Sequence, residues 1–104
     1  LRDVIWRRAD GAEPSGADWH DAGFRCLGLE LRHSATSQMH RAAPNTDALF
    51  VLFNAGPEQP VHLPDTAPVW HLLLDTTRPD ALPVAALSPL VAPAQSVLVF
   101  ANNP

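Results

Sequence analysis

The residues in this chain whose types could do chemistry are eleven acids, five histidines, one cysteine and three tryptophans. Two carboxyl groups about 5 to 10 Å apart can serve as acid and base across a scissile bond. Most of the acids here fall at turn-like positions: Asp10, Asp18, Asp21, Asp47, Asp65, Asp75 and Asp80. There an aspartate caps a short element or hydrogen-bonds its own backbone, and no spacing selects one pair for acid–base work. No catalytic residue is expected in the chain. The histidines are His20, His33, His40, His62 and His71. No two of them have the i, i+4 spacing of a helical zinc motif, and Cys26 has no second cysteine to join it. No metal site and no cofactor is expected. His62 and His71 lie on neighbouring predicted strands, where they can face each other across a hairpin or simply line the wet side of a sheet. Neither a nucleophile-elbow string nor a phosphate-cradling glycine string occurs, and Gly56 is the one loop glycine of note. Cys26 sits among leucines and reads as a small buried hydrophobe.

The tryptophans carry the one functional alternative. A flat indole can stack on the apolar face of a sugar ring, or it can fill a core or an interface. Trp70 opens a strong predicted strand and is assigned first to core packing. Trp6 and Trp19 belong to a less regular N-terminal segment. They are assigned to packing on this domain or on a neighbouring one, with sugar contact as the alternative.

These side chains must be positioned by short strands. Eleven prolines in 104 residues rule out long helices, because an interior proline removes a backbone donor and clashes with the preceding turn. Cys26 to Leu31 alternates, which predicts a half-buried strand with Leu27, Leu29 and Leu31 on one face and Gly28 and Glu30 on the other. Leu49 to Phe53 is apolar throughout and is expected to be central and buried on both faces, ended by Asn54 and Gly56. Val61 to Leu63, between prolines, suits an edge strand. Val69 to Leu74, Leu90 to Val91 and Val97 to Ala101 complete the set. The expected fold is all-β, an antiparallel β-sandwich with meander or Greek-key links. Residues 1–24 form an irregular N-terminal segment and 25–104 the sandwich. Within the segment, Val4-Ile5-Trp6 predicts a brief strand and Ser15 to Asp18 a capping box with one or two helical turns. His33 to Asn45 reads as a long polar connection that tolerates a short helix.

The totals bound the function. A chain of 104 residues and 11.2 kDa fits one domain. Net charge is −4, and all seven basic residues are arginine, so no basic stripe invites nucleic acid. Arg7-Arg8 is the only adjacent basic pair and reads as a solvated turn. Charged residues are 17% of the chain, below the usual quarter, which suits a surface that something else covers. No apolar run approaches the 18 or so residues that span a bilayer. One cysteine allows no internal disulfide, which favours the cytoplasm. The start at Leu1 suggests a piece of a longer protein.

Several short strings, taken in order, resemble the C-terminal β-domain of isoamylase-type glycogen-debranching enzymes, in the α-amylase superfamily. They are Trp6, Asp10-Gly11 with Glu13, Asp18-Trp19, the leucine-rich Leu27 to Leu31, and Asp47 to Asn54. Leu63-Pro64, Trp70 to Thr76 and Ser96 to Phe100 follow. The likeness covers most of the chain, with a gap over 33–44. It departs from the family at Pro14, where a methionine is common, and in the stretch from Pro57 to Pro68. The resemblance implies a domain of the α-amylase C-terminal type with no catalytic residues. Its partner would be an upstream (β/α)8 barrel of the same polypeptide that hydrolyses α-1,6 branch linkages of glycogen. It also implies a stabilising role, with Trp6 and Trp19 as the contact region; an isolated copy is expected to self-associate. Two alternatives stand beside it: a carbohydrate-binding module for α-glucan, and a free-standing sandwich that binds a protein.

Overall fold

A computed structural model describes residues 4–32, 48–65, 67 and 69–102. Eight strands and one helical turn follow in order: β1 (Val4–Arg7), α1 (Gly16–Trp19), β2 (Cys26–Arg32), β3 (Ala48–Asn54), β4 (Gln59–Val61), β5 (Trp70–Asp75), β6 (Val84–Ala86), β7 (Leu90–Ala92) and β8 (Ser96–Ala101). Six of them form one antiparallel sheet in the order β1-β2-β3-β8-β5-β6, and β4 and β7 pair as a second, small sheet. The fold is an all-β, sandwich-like arrangement with unequal layers. It is a slab of 43 × 36 × 18 Å with a radius of gyration of 14.2 Å, against about 13 Å for a compact chain of this length. The chain is thus flatter and slightly more extended than a sphere of its length.

The core lies between the two layers. Phe50, Leu52, Leu98 and Phe100 point inward from the central strands, and Val61 and Ala92 close over them from the small sheet. The rings of Phe50 and Phe100 are 6.0 Å apart, and Phe50 and Trp70 6.1 Å. The Trp70 indole N–H donates to the Pro64 carbonyl at 2.8 Å, so its one polar atom is satisfied where the ring is buried.

Asn54, at the end of β3, ties the layers at one end. Its amide nitrogen donates to the carbonyls of Pro57 (3.0 Å) and Pro93 (2.9 Å). Its oxygen accepts from the Gly56 N–H (3.0 Å) and from the Gln59 side chain (3.1 Å). Both amide hydrogens and both lone pairs are thereby used, which is what lets a polar group stay buried. Gly11 turns the chain after β1 with φ of 91°, a conformation that glycine adopts without strain.

Several sequence expectations meet this fold directly. The predicted capping box forms: the Ser15 side chain and Asp18 backbone, and the Asp18 side chain and Ser15 backbone, satisfy each other at the start of α1. The strands over 26–31, 49–53, 69–74, 90–91 and 97–101 are present with bounds shifted by a residue or so. Four points differ. First, β1 is a full member of the large sheet, paired with β2 from Val4↔Leu31 to Arg7↔Gly28, so the N-terminal segment is less irregular than its composition suggests. Second, β6 carries no alternation long enough to announce it. Third, the edge strand placed at Val61 to Leu63 runs instead from Gln59 to Val61. Fourth, the faces of β2 are reversed in weight. Cys26, Gly28 and Glu30 point into the core while Leu27, Leu29 and Leu31 stay partly exposed. The polar connection expected over 33–45 lies outside the described residues, as do His33, His40 and Asp47.

Candidate functional site

The reversal on β2 comes with a buried ion pair that makes it tolerable. Glu30 is fully buried, but its Oε1 accepts from Arg7 Nε (3.1 Å) and Nη2 (2.9 Å), and its Oε2 from Arg32 Nε (2.7 Å). One carboxylate held by two guanidinium groups can remain inside. Arg7 is thus part of the packed layer and not the solvated turn that Arg7-Arg8 suggested. Gly28 is required beside it, since the Phe50 ring fills the space that a Cβ would need.

With the even positions of β2 and β3 turned inward, the odd ones form the other face of the large sheet. The register lays them out in rungs. One rung runs Trp6, Leu29, Val51, Val99, Leu74 across five strands. The next runs Val4, Leu31, Leu49, Ala101, His71, Ala85 across all six. A shorter one holds Leu27, Phe53 and Val97. These rungs contain no charged side chain. Leu49, Phe53 and Leu74 are each 42% exposed. β3 was expected to be buried on both faces, and among the described residues only one is buried. Soluble monomers rarely leave a contiguous apolar patch above a few hundred Å² uncovered.

Two aromatic residues extend this face at the β1 edge. Trp19, on α1, meets Trp6 edge-to-face at 5.9 Å and Phe24 at 5.8 Å. The helix is held there by its capping box and by Arg8, which reaches Asp18 at 3.4 Å and pairs closely with Asp10. Trp6 is 39% and Trp19 50% exposed. Trp70 is only 3% exposed, which leaves it nothing to offer a sugar or a neighbouring domain.

A cleft of about 450 Å³ lies near the α1 end, lined by Arg8, Asp10, Asp18, Phe24, Cys26 and Gln59 among others. Its two carboxylates do not make an acid–base pair. Hydrogen bonds from Arg8 and from the Ala12 N–H hold Asp10 down at about 2. Asp18 is lowered chiefly by the Ser15 N–H, with help from the Ser15 hydroxyl and Arg8. A general acid needs a raised pKa near neutrality, and both groups move the other way. Cys26, at the cleft's inner wall, is buried, and desolvation pushes its thiol up. A raised thiol is a poor nucleophile.

Among the described residues, no group of three or more His, Cys, Asp or Glu could hold a metal ion. His62 follows β4 in the small sheet and His71 lies in β5 of the large one, so they do not face each other across a hairpin. The Nδ1 of His71 is buried without a hydrogen-bond partner among the described residues. No helix of the described residues is long and apolar enough to cross a membrane. Among known proteins, no family model matches the chain, and no curated protein matches it either.

The sequence singles out Trp6 and Trp19 but not the rungs behind them. The available signal was the odd-position run Leu27, Leu29, Leu31 together with Leu49, Val51, Phe53, which reads as a core until Glu30 and Gly28 are seen to be the inward residues.

Proposed function

We propose that this chain is a non-catalytic β-domain of a glycogen-debranching glycoside hydrolase of isoamylase type, which packs on the catalytic barrel of its parent and stabilises it. The observation that carries the reading is the open face of the large sheet: three largely apolar rungs with no charged side chain, one of them opening on Trp6, against which Trp19 packs. Covering a half-exposed leucine or phenylalanine is worth on the order of 1 kcal/mol. A face of this composition therefore favours a permanent apolar neighbour over a transient polar one. The order of short strings in the sequence supplies the identity of that neighbour. In the parent protein, Leu29→Glu is expected to lower the melting temperature of the barrel and its solubility. Unchanged melting of the parent without this domain would sink the proposal.

A second reading is favoured by one observation, the exposure of Trp19. In it the domain binds α-glucan through Trp6 and Trp19. The perpendicular rings do not make a flat platform for a run of sugars, which places this reading second. Trp19→Ala is then expected to abolish retention on a glycogen gel while the fold persists. Equal retention of both forms would count against it.

A further inference from the structure

The two strands of the small sheet do not cover the inner side of the large one evenly. Val84 shares an inward rung with Leu72 and Phe100, yet it is 55% exposed while Phe100 is fully buried. There a cavity of about 480 Å³ opens between the layers, lined by residues of β5, β6, β7 and β8. Its size falls within the ~300–1,000 Å³ of small-molecule pockets. Leu72, Val84 and Val91 give it apolar walls, and Asp75, Thr77 and Arg78 give it one polar end. That end is built by the register slip in β5. A two-residue period would point Leu74 inward after Trp70 and Leu72. The irregularity instead pairs Leu74 with Val99 and Asp75 with Leu98, which turns the carboxylate in. Bulges re-aim side chains in this way beside functional sites. Asp75 is 4% exposed. Its Oδ1 accepts from the Thr77 N–H (2.8 Å) and hydroxyl (2.6 Å), and its Oδ2 faces Arg78 Nε at 3.5 Å. The Arg78 backbone N–H donates to the Asp75 carbonyl at 2.9 Å, which holds the arginine at this end of the cavity.

We propose that this cavity binds a small carboxylic acid with an apolar chain, its carboxylate on Arg78 and its chain between Leu72, Val84 and Val91. The donor count selects the head group. Three donors already answer Asp75, whereas a guanidinium carries five N–H groups and only Nε of the Arg78 side chain is engaged among the described residues. Both Nη groups are left for an acceptor, and Arg78 is the one cation among the described residues that line the cavity. A guanidinium fork matches a carboxylate through two parallel hydrogen bonds. An ammonium head would meet that surplus of donors instead. The apolar walls select the tail, since methylenes placed there leave water. The site lies on the opposite side of the sheet from the open rungs, so it stands or falls independently of what covers them.

Methyl NMR of the chain with labelled leucine and valine, titrated with sodium octanoate, tests it. Saturable shifts are expected at Leu72, Val84 and Val91, with none at Leu29 or Leu49 on the open rungs. Decanoate is expected to bind more tightly, about four-fold for each methylene it buries. Octylamine is expected to give no saturable shift at these methyls. Arg78→Gln should weaken octanoate binding about ten-fold or more, and Arg78→Lys less, because it keeps the charge but loses the fork. Val84→Trp places an indole in the cavity and is expected to abolish the shifts at Leu72 and Val91. Circular dichroism on each variant keeps folding separate from binding. The absence of saturable shifts in the unsubstituted chain overturns the proposal. So do equal shifts with octylamine, or an Arg78→Gln variant that binds octanoate as tightly as the unsubstituted chain. Shifts confined to the open rungs overturn it as well, as do shifts confined to Leu73 and Leu82 in the neighbouring recess of about 280 Å³ that shares Arg78.

Discussion

The two faces of the large sheet are built from the same strands, yet they solve different problems. Toward the small sheet, every polar group is answered: Glu30 by two arginines, Asn54 by four hydrogen bonds, Trp70 by Pro64. Toward the outside, the rungs are apolar but for His71, whose buried Nδ1 has no partner among the described residues, and much of the face remains half-open. The inner face is mixed in composition and complete in its contacts. The outer face is uniform in composition and incomplete. In a strand, alternation reports two separate burial events, and only one of them takes place among the described residues.

The sharpest way to break that comparison is to remove a ring from each face. Phe50→Ala is expected to cost about 3–5 kcal/mol and to leave the isolated chain unfolded or nearly so. Phe53→Ala, three residues away on the outer face, is expected to cost under about 1 kcal/mol in the same chain. Urea titration of the two variants decides it, and equal losses would mean that the outer face is already covered.

Next in size is the buried carboxylate. Glu30→Ala leaves Arg7 and Arg32 without their shared partner and is expected to destabilise by about 3 kcal/mol. Chemical denaturation measures it, and a loss below about 0.5 kcal/mol would show that the arginines re-solvate freely. Gly28→Ala pushes a methyl group into the Phe50 ring and is expected to cost about 1–3 kcal/mol, seen as a lowered thermal midpoint.

The smallest expected effect is a pH dependence at the α1 end. Asp10 is depressed to about 2 in the folded chain from an ordinary 3.8. Its contribution is therefore present above about pH 4 and is lost as pH falls toward the folded value. The pair with Arg8 is exposed, so salt should weaken the effect further. Carboxyl NMR titration of Asp10 at low and high salt checks both the sign and the screening.

Much of this fold was legible locally. Runs such as Leu49 to Phe53 stand between turn residues, and Ser15 with Asp18 states its helix start in four letters. What was not legible depended on distance. The inward side of β2 carries Glu30, whose partner Arg7 lies 23 residues away in the sequence. The alternation of Leu27, Leu29 and Leu31 gives the period but not the side. β5 reads as one unbroken apolar strand, while the register slips between Leu72 and Leu74, so Asp75 turns inward and Leu74 outward. β6 is three small or branched residues between prolines, too short for any pattern. As for the candidate site, Trp6 and Trp19 could be picked out as bulky residues in an irregular segment, but the rungs that join them exist only once the strands are aligned.

The strand order also governs how the chain can assemble. β1, β2 and β3 form one run of neighbours, β5 and β6 another, and the two meet only through β8. Of the described strands, β8 leaves the ribosome last, and its pairings reach back across as many as 52 residues, as in Leu49↔Ala101. Until it inserts, Phe50 lacks the Phe100 ring beside it, and each half-sheet presents an extra open border. Closing such long loops is slow compared with forming a hairpin. The interval between synthesis of Asn54 and arrival of Ser96 is thus the period in which this chain is most exposed to misassociation.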